Sequence, residues 1–203
     1  VLVVVSGFSG AGKGTVMKAL LNKYDNYALS VSATTRNPRP GEENGREYFF
    51  LTESQFEDMI KNDELIEHAR YVDHYYGTPK KYVEEKMAAG KDVILEIEIQ
   101  GALNIKKKFP DALLVFIVPP TAEDLKKRLT GRGTESAEVI EKRLRRAAEE
   151  SDGMDSYDYI VVNDDIDTCV EDLHSLIRSS HFKESANTDL VARMKQELHD
   201  MTK

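Results

Sequence analysis

Short, densely apolar runs alternate along this chain with longer stretches of mixed character. VLVVV (1–5), DVILEIEI (92–99), LLVFIV (113–118) and YIVVN (159–163) are rich in β-branched and aliphatic residues, the pattern of strands buried on both faces. Helical periodicity separates most of them. GKGTVMKALLNKY follows the first run, IQGALNIKKKF the second, and TAEDLKKRLTGRG the third, with Thr121 and Asp124 placed as a capping pair. A shorter run, YALSVS (27–32), predicts one more strand. Strand and helix in alternation predict an α/β fold, a mainly parallel sheet flanked by helices on both faces.

Two segments break the rhythm. Within residues 33–90, EYFFL and LIEHARYV read as short strands around a helix opened by Thr52, with Gln55 at the capping-box position. YYGTPKKYVEEKMAAG then predicts a turn and another helix. This is a small α+β insert, hung from a core made of residues 1–32 and 91–180. The second excursion, 131–151, is helical and rich in arginine. The tail, 181–203, ends in TDLVARMKQELHDM, an amphipathic helix outside the core, for packing or oligomer contact. Either a monomer or a small homo-oligomer is expected.

Composition narrows the function. The chain has 203 residues and a formal net charge of −8, which argues against sequence-independent nucleic-acid binding. A small cationic pocket is still compatible with that net field. The lone cysteine, Cys169, lies in an amphipathic helical pattern, reads as buried filler and fits a reducing cytoplasm. No apolar run approaches the roughly 20 residues of a membrane span, so no membrane partner is expected. VLVVVSG lacks the basic start of a signal peptide, and a chain numbered from Val1 rather than Met is expected to omit a short leader. The five histidines show no metal-ligand spacing and read as structural or surface residues.

The chemistry begins at VVVSGFSGAGKGT. Gly7, Gly12 and Lys13 satisfy G-x-x-x-x-G-K between a predicted strand and helix, the setting of a P-loop NTPase core. Glycines let successive N–H groups of Phe8, Ser9, Gly10, Ala11, Gly12 and Gly14 turn toward a phosphate, while Lys13 adds a full positive charge. The residue after Lys13 is Gly14 where the pattern asks for a hydroxyl, which arrives one place later at Thr15. Mg2+ is expected with ATP because it bridges phosphate oxygens, and Thr15 is its candidate ligand.

A second anion site is signalled by SATTRNPRPGEENGREYFF (32–50), where Arg36 and Arg39 lie on a proline-stiffened loop near tyrosines. An ordinary arginine-bearing surface loop explains the pair equally well by itself. Glu96 and Glu98 alternate at the end of a predicted strand and so share one face. There they could orient hydrated Mg2+ or an acceptor, or form structural salt bridges with the arginines.

GFSGAGKGT, SVSATTRNPRPGEENGREYFF, LIEHARYVDHYYGT, ILEIEIQGA, LKKRLTGRGTES and YIVVNDD occur in the order seen in guanylate kinases, and the chain resembles that family from Val1 to about Arg178. The resemblance implies an enzyme that passes the γ-phosphoryl of MgATP to GMP (and to dGMP), giving ADP and GDP. Residues 33–90 would then form the GMP-binding insert and 131–151 a helical lid. Arg36, Arg39, Tyr48 and Tyr76 match the positions that hold the GMP phosphate. Glu67 matches the reader of guanine, and Ser32 and Thr78 match hydroxyl positions around the base. Without the resemblance, Glu67 reads as a solvated strand-edge carboxylate. Glu98 is expected toward the acceptor, and Glu96 toward Mg2+ through water. Arg128, Arg132 and Arg143 match lid positions that stabilise the transferring group together with Lys13 and Arg36, whereas helix-surface salt bridges account for at least one of Arg145 and Arg146. Asn163 and Asp164 match the adenine end of ATP. Two rivals remain: a non-catalytic guanylate-kinase-like binding module, against which Lys13 and the complete loop argue, and a kinase for another nucleoside monophosphate, against which Glu67 and Ser32 argue.

Overall fold

The computed structural model describes residues 1–71, 73–131 and 136–202. Its main sheet has five parallel strands in the order β2-β7-β1-β8-β9: β1 (Leu2–Gly7), β2 (Tyr27–Leu29), β7 (Asp92–Glu96), β8 (Leu113–Val118) and β9 (Tyr159–Val162). The alternation of side chains along β1 explains why both faces are covered. Val3 and Val5 pack with α1 (Lys13–Lys23) and α7 (Ile166–Ser180), through Val16, Leu20, Val170 and Leu173. Leu2 and Val4 enter the opposite layer, with Val83 of α3 (Lys80–Ala88) and Ala102 and Ile105 of α4 (Ile99–Lys108). Cys169 is fully buried in the first layer, and burial pushes its thiol up to about 11.

The second sheet has the order β4-β3-β6-β5: β3 (Ser32–Thr34), β4 (Tyr48–Phe50), β5 (Leu65–Tyr71) and β6 (His74–Pro79). The run 27–32 is therefore not one strand. Ser30 still donates to Ile94 O at 2.8 Å, and two residues later the chain has entered the other sheet at Ser32. YYGTP, expected as a turn, lies within β6 and pairs antiparallel with both β3 and β5. One face of this sheet, with Ala33, Phe49, Leu65 and Tyr75, packs on Phe56 of α2 (Glu53–Lys61). That helix opens with the expected capping box of Thr52 and Gln55. The opposite face is left for other work. The remaining helices are α5 (Ala122–Thr130), capped by Thr121 as expected, α6 (Ala137–Ser151) and α8 (Thr188–Asp200). Among the described residues no helix is long and apolar enough to cross a membrane.

Candidate active site

The phosphate loop leaves the carboxyl end of the central strand β1 and enters α1 at Lys13. Its shape depends on close contacts that a larger residue would break. Gly12 has φ +89°, and a Cβ there would stand 2.5 Å from Asn163 Nδ2. The same Nδ2 donates to Ala11 O at 2.8 Å, and Arg128 reaches Ala11 O at 3.3 Å and Asn163 O at 2.7 Å. Asn163 and Arg128 thus brace the outer side of the loop, where Asp164 is exposed beside them. On the inner side Lys13 Nζ donates to Gly7 O at 2.6 Å and to Phe8 O at 3.2 Å. Thr15 is exposed in the first turn of α1.

A cavity of about 770 Å³ runs from Gly7 and Lys13 to the second sheet. Ser32 of β3, Tyr48 of β4, Glu67 of β5 and Tyr76 of β6 line its far wall. Tyr48 and Tyr76 meet edge to face at 6.0 Å. Ser32, Tyr48 and Tyr76 belong to the face turned away from Phe56, a consequence of period-2 alternation opposite Ala33, Phe49 and Tyr75. Glu67 joins them although Leu65, two residues earlier, packs on Phe56, because the register of β5 shifts between Leu65 and His68. Glu67 is only 5% exposed and accepts from the buried Thr78 hydroxyl at 2.8 Å. Burial pushes its carboxyl pKa up, opposed by the Thr78 hydroxyl and the Lys108 charge.

Arg36 and Arg39 do not act as a single fork. Arg36 pairs end-on with Glu42, its Nη1 and Nη2 each 3.0 Å from a carboxylate oxygen, and lies over the rings of Tyr48 and Phe50. Arg39 is exposed, and its main-chain N–H donates to Glu42 Oε2 at 2.7 Å. The Pro40–Gly41 turn, closed by Glu42 N–H to Arg39 O at 3.0 Å, brings this carboxylate back. First Glu42 and then Tyr76 hold the Arg36 pKa above its ordinary value, while Glu42 itself is held low, chiefly by Arg36.

Glu96 and Glu98 do not share a strand face. β7 ends at Glu96, and Glu98 has become the N-cap of α4. The chain bends between them because Ser6 Oγ captures Ile97 O at 2.7 Å and the helix starts at once. Glu96 is half-buried on the cavity wall, its carboxyl pKa raised by burial against the pull of Lys13. Glu98 is exposed and stands 3.5 Å from Arg146.

A family model described as guanylate kinase matches residues 1–180. The chain is 48% identical over 196 residues to a guanylate kinase from Caldanaerobacter subterraneus, covering 97% of this chain and 95% of that one. It is 50% identical over 182 residues to one from Lactococcus lactis, covering 90% and 89%. A crystal structure of guanylate kinase from Anaplasma phagocytophilum superposes with a TM-score of 0.73 at 33% identity, covering 90% of this chain and 87% of that one. The chain belongs to the guanylate kinase family.

Arginines approach the loop of this family member from α5 and α6. Arg143 Nη1 lies 3.4 Å from Ser9 Oγ, and Phe8 packs with Leu125, Leu129 and Leu144. Arg128 engages main-chain carbonyls, as described, and Arg132 lies outside the described residues. Arg145 forms a surface pair with Glu141 at 3.1 Å. Arg146 instead joins the cavity wall with Glu150, paired at 2.7 Å. Burial raises the Glu150 carboxyl, and Arg146 opposes the shift. Glu42, Arg146 and Glu150 are among the cavity residues that the sequence did not single out. Glu42 had one available signal, its position immediately after a Pro-Gly turn that folds back on two arginines.

Proposed function

We propose that this chain transfers the γ-phosphoryl of ATP to GMP by direct in-line attack of a GMP phosphate oxygen, with Lys13 and the loop amides holding the donor. The acceptor phosphate is held by Arg36, Arg39, Tyr48 and Tyr76, and guanine is read by Glu67, with Ser32 and Thr78 beside it. Glu67 can accept from guanine N1–H and the exocyclic amine together, whereas adenine would leave a buried carboxylate unpaired. Arg128, Arg132 and Arg143 serve the donor side and the transferring group, whose charge spreads over its oxygens in the transition state. The single observation that supports this division is one cavity bounded by Lys13 at one end and by Tyr48, Tyr76 and Glu67 at the other.

The donor set fits a Mg2+ ion brought in on the nucleotide. Among the described residues no group of three or more His, Cys, Asp or Glu side chains could hold a metal, which suits a cation held mainly by phosphates. Thr15 would supply a hydroxyl and Glu96 a water-bridged carboxylate. Bound there, the ion would neutralise charge on the transferring phosphate.

Residues 33–90 act as the GMP-binding insert and 131–151 as a lid, both swinging toward the fixed sheet and excluding water that would compete as acceptor. The enzyme works as a monomer or small homo-oligomer, and its lone buried Cys169 suits a reducing cytoplasm. A coupled assay for ADP with GMP, dGMP, AMP and UMP as acceptors tests the function. GMP and dGMP turn over on this account. Comparable turnover of AMP or UMP would overturn it.

A further inference from the structure

Helix α4 approaches Glu67 at both of its ends. In its first turn Gly101 is buried, and a Cβ there would lie 2.9 Å from Glu67 Oε2, 3.4 Å from Glu67 Cδ and 3.2 Å from Ile97 Cδ1. In its last turn Lys108 Nζ donates to the carbonyl of Ile66, the residue before Glu67, at 2.9 Å. Between these contacts Ile66 packs in one cluster with Ala102 and Ile105 of the same helix. The other carboxylate oxygen is fixed as well, since Oε1 accepts from Thr78. Glu67 therefore has its strand position set by Ile66 and Lys108, one oxygen set by Thr78, and the other resting on the surface that Gly101 leaves bare.

Glycine's conformational freedom does not account for residue 101. Its φ lies outside the left-handed range, and glycine inside a helix is less favourable than alanine. What glycine provides here is space, and the space is taken by a carboxylate oxygen.

We infer that Gly101 is a positioning residue that sets the depth of the Glu67 carboxylate in the acceptor pocket and thereby the choice of guanine over adenine. Any side chain at 101 would push Oε2 toward the cavity. Guanine's two donors would then meet the carboxylate at the wrong height, while adenine, which uses neither contact, would lose little. The inference rests on the reading of Glu67 given above, and it extends base recognition to a residue that presents no side chain to the base.

The test is Gly101→Ala, with GMP, AMP and ATP kinetics and thermal unfolding measured side by side. The GMP KM should rise about tenfold or more, and the ratio of kcat/KM for GMP over AMP should fall by a similar factor. The ATP KM should stay within about twofold and the Tm should not fall. A merely structural role would lower the Tm and weaken both substrates together, and that result overturns the inference. Glu67→Gln separates the two levels of the argument. If it leaves GMP over AMP unchanged, the reading of Glu67 fails; if it abolishes the preference while Gly101→Ala retains it, only the role of Gly101 fails. Should Gly101→Ala not fold, the double variant Glu67→Ala/Gly101→Ala decides. Removing the carboxylate should restore folding if the collision is with Oε2, and a double variant that also fails to fold contradicts it.

Discussion

The two ends of the cavity hold their cations in different ways. At the end proposed for the donor, Lys13 is held by two main-chain carbonyls, those of Gly7 and Phe8, and the loop around it is main chain braced through Ala11 O. At the end proposed for the acceptor, Arg36 is held by an ionised side chain, Glu42, and lies over the aromatic rings of Tyr48 and Phe50. A backbone cradle is prepared by the sheet that carries it and recognises whatever presents phosphates. A side-chain cradle gathered from four strands and a turn can be shaped for one nucleotide. The division of labour proposed here, general affinity at one end and selectivity at the other, follows from that difference in construction.

The strongest way to break this contrast is to remove a charge from each end. Arg36→Ala should raise the GMP KM by about 30-fold or more, the worth of a charge-assisted hydrogen bond near 2 kcal/mol, and leave the ATP KM within about twofold. Arg39→Ala should do less, because Arg39 is exposed while Arg36 is packed against the wall. Steady-state kinetics with each substrate varied checks the ranking. Equal losses for both nucleotides, or a larger effect at Arg39, would count against the acceptor geometry.

A subtler probe uses pH. Burial raises the Glu67 carboxyl pKa, and the Thr78 hydroxyl is the largest influence opposing that rise. Guanine needs the ionised form, so GMP affinity should weaken on acidification at a pH above the ordinary glutamate range. Thr78→Val removes a hydrogen bond to the ionised form and should move this acid limb to still higher pH. A pH profile of kcat/KM for GMP that shifts downward, or not at all, would contradict the arrangement. The sign is opposite for stability. In the window between the unfolded and folded pKa values the folded carboxyl holds a proton that the unfolded one has released, so this group's contribution falls as pH rises through that window.

The smallest effect is expected at Glu42. Its end-on pairing uses one hydrogen from each terminal nitrogen of Arg36, and Asn37 O takes another from Nη1. Donors remain on the edge toward Tyr76, so carboxylate and phosphate can share the guanidinium. Glu42 is then a positioning residue, and Glu42→Gln should raise the GMP KM about fivefold with kcat nearly unchanged. An equal fall in kcat at saturating GMP would argue against that role.

The same contrast explains what the sequence disclosed. The phosphate loop is contiguous and its requirements are local, so VVVSGFSGAGKGT announces strand, turn and helix in one line. The acceptor wall is assembled by tertiary pairing. YYGTP reads as a turn because Gly77 and Pro79 are turn residues, yet Gly77 lies in a strand because a Cβ there would meet Glu67 O and the Phe56 ring, each at 2.9 Å. YALSVS reads as one strand because nothing in its composition marks the point where the chain changes sheets. A continued strand period would put Glu96 and Glu98 on one face, but that period stops at Glu96, and Glu98 caps helix α4 instead. Glu42 left no periodic trace at all, since a loop carboxylate acquires its partner only when the turn closes. The residues proposed for the acceptor are legible only through the resemblance to a family, and the alternation of Ser32, Tyr48 and Tyr76 opposite Ala33, Phe49 and Tyr75 is what brings those three to one cavity wall.

The most direct test of two facing cradles is a single molecule that occupies both. Adenosine joined to guanosine through a polyphosphate chain should bind far more tightly than either nucleotide and compete with ATP and with GMP alike, because the second contact becomes intramolecular. Arg36→Ala should cost that ligand most of its advantage. Competition against ATP alone, with GMP still binding freely, would mean that the two ends do not face each other across one cavity.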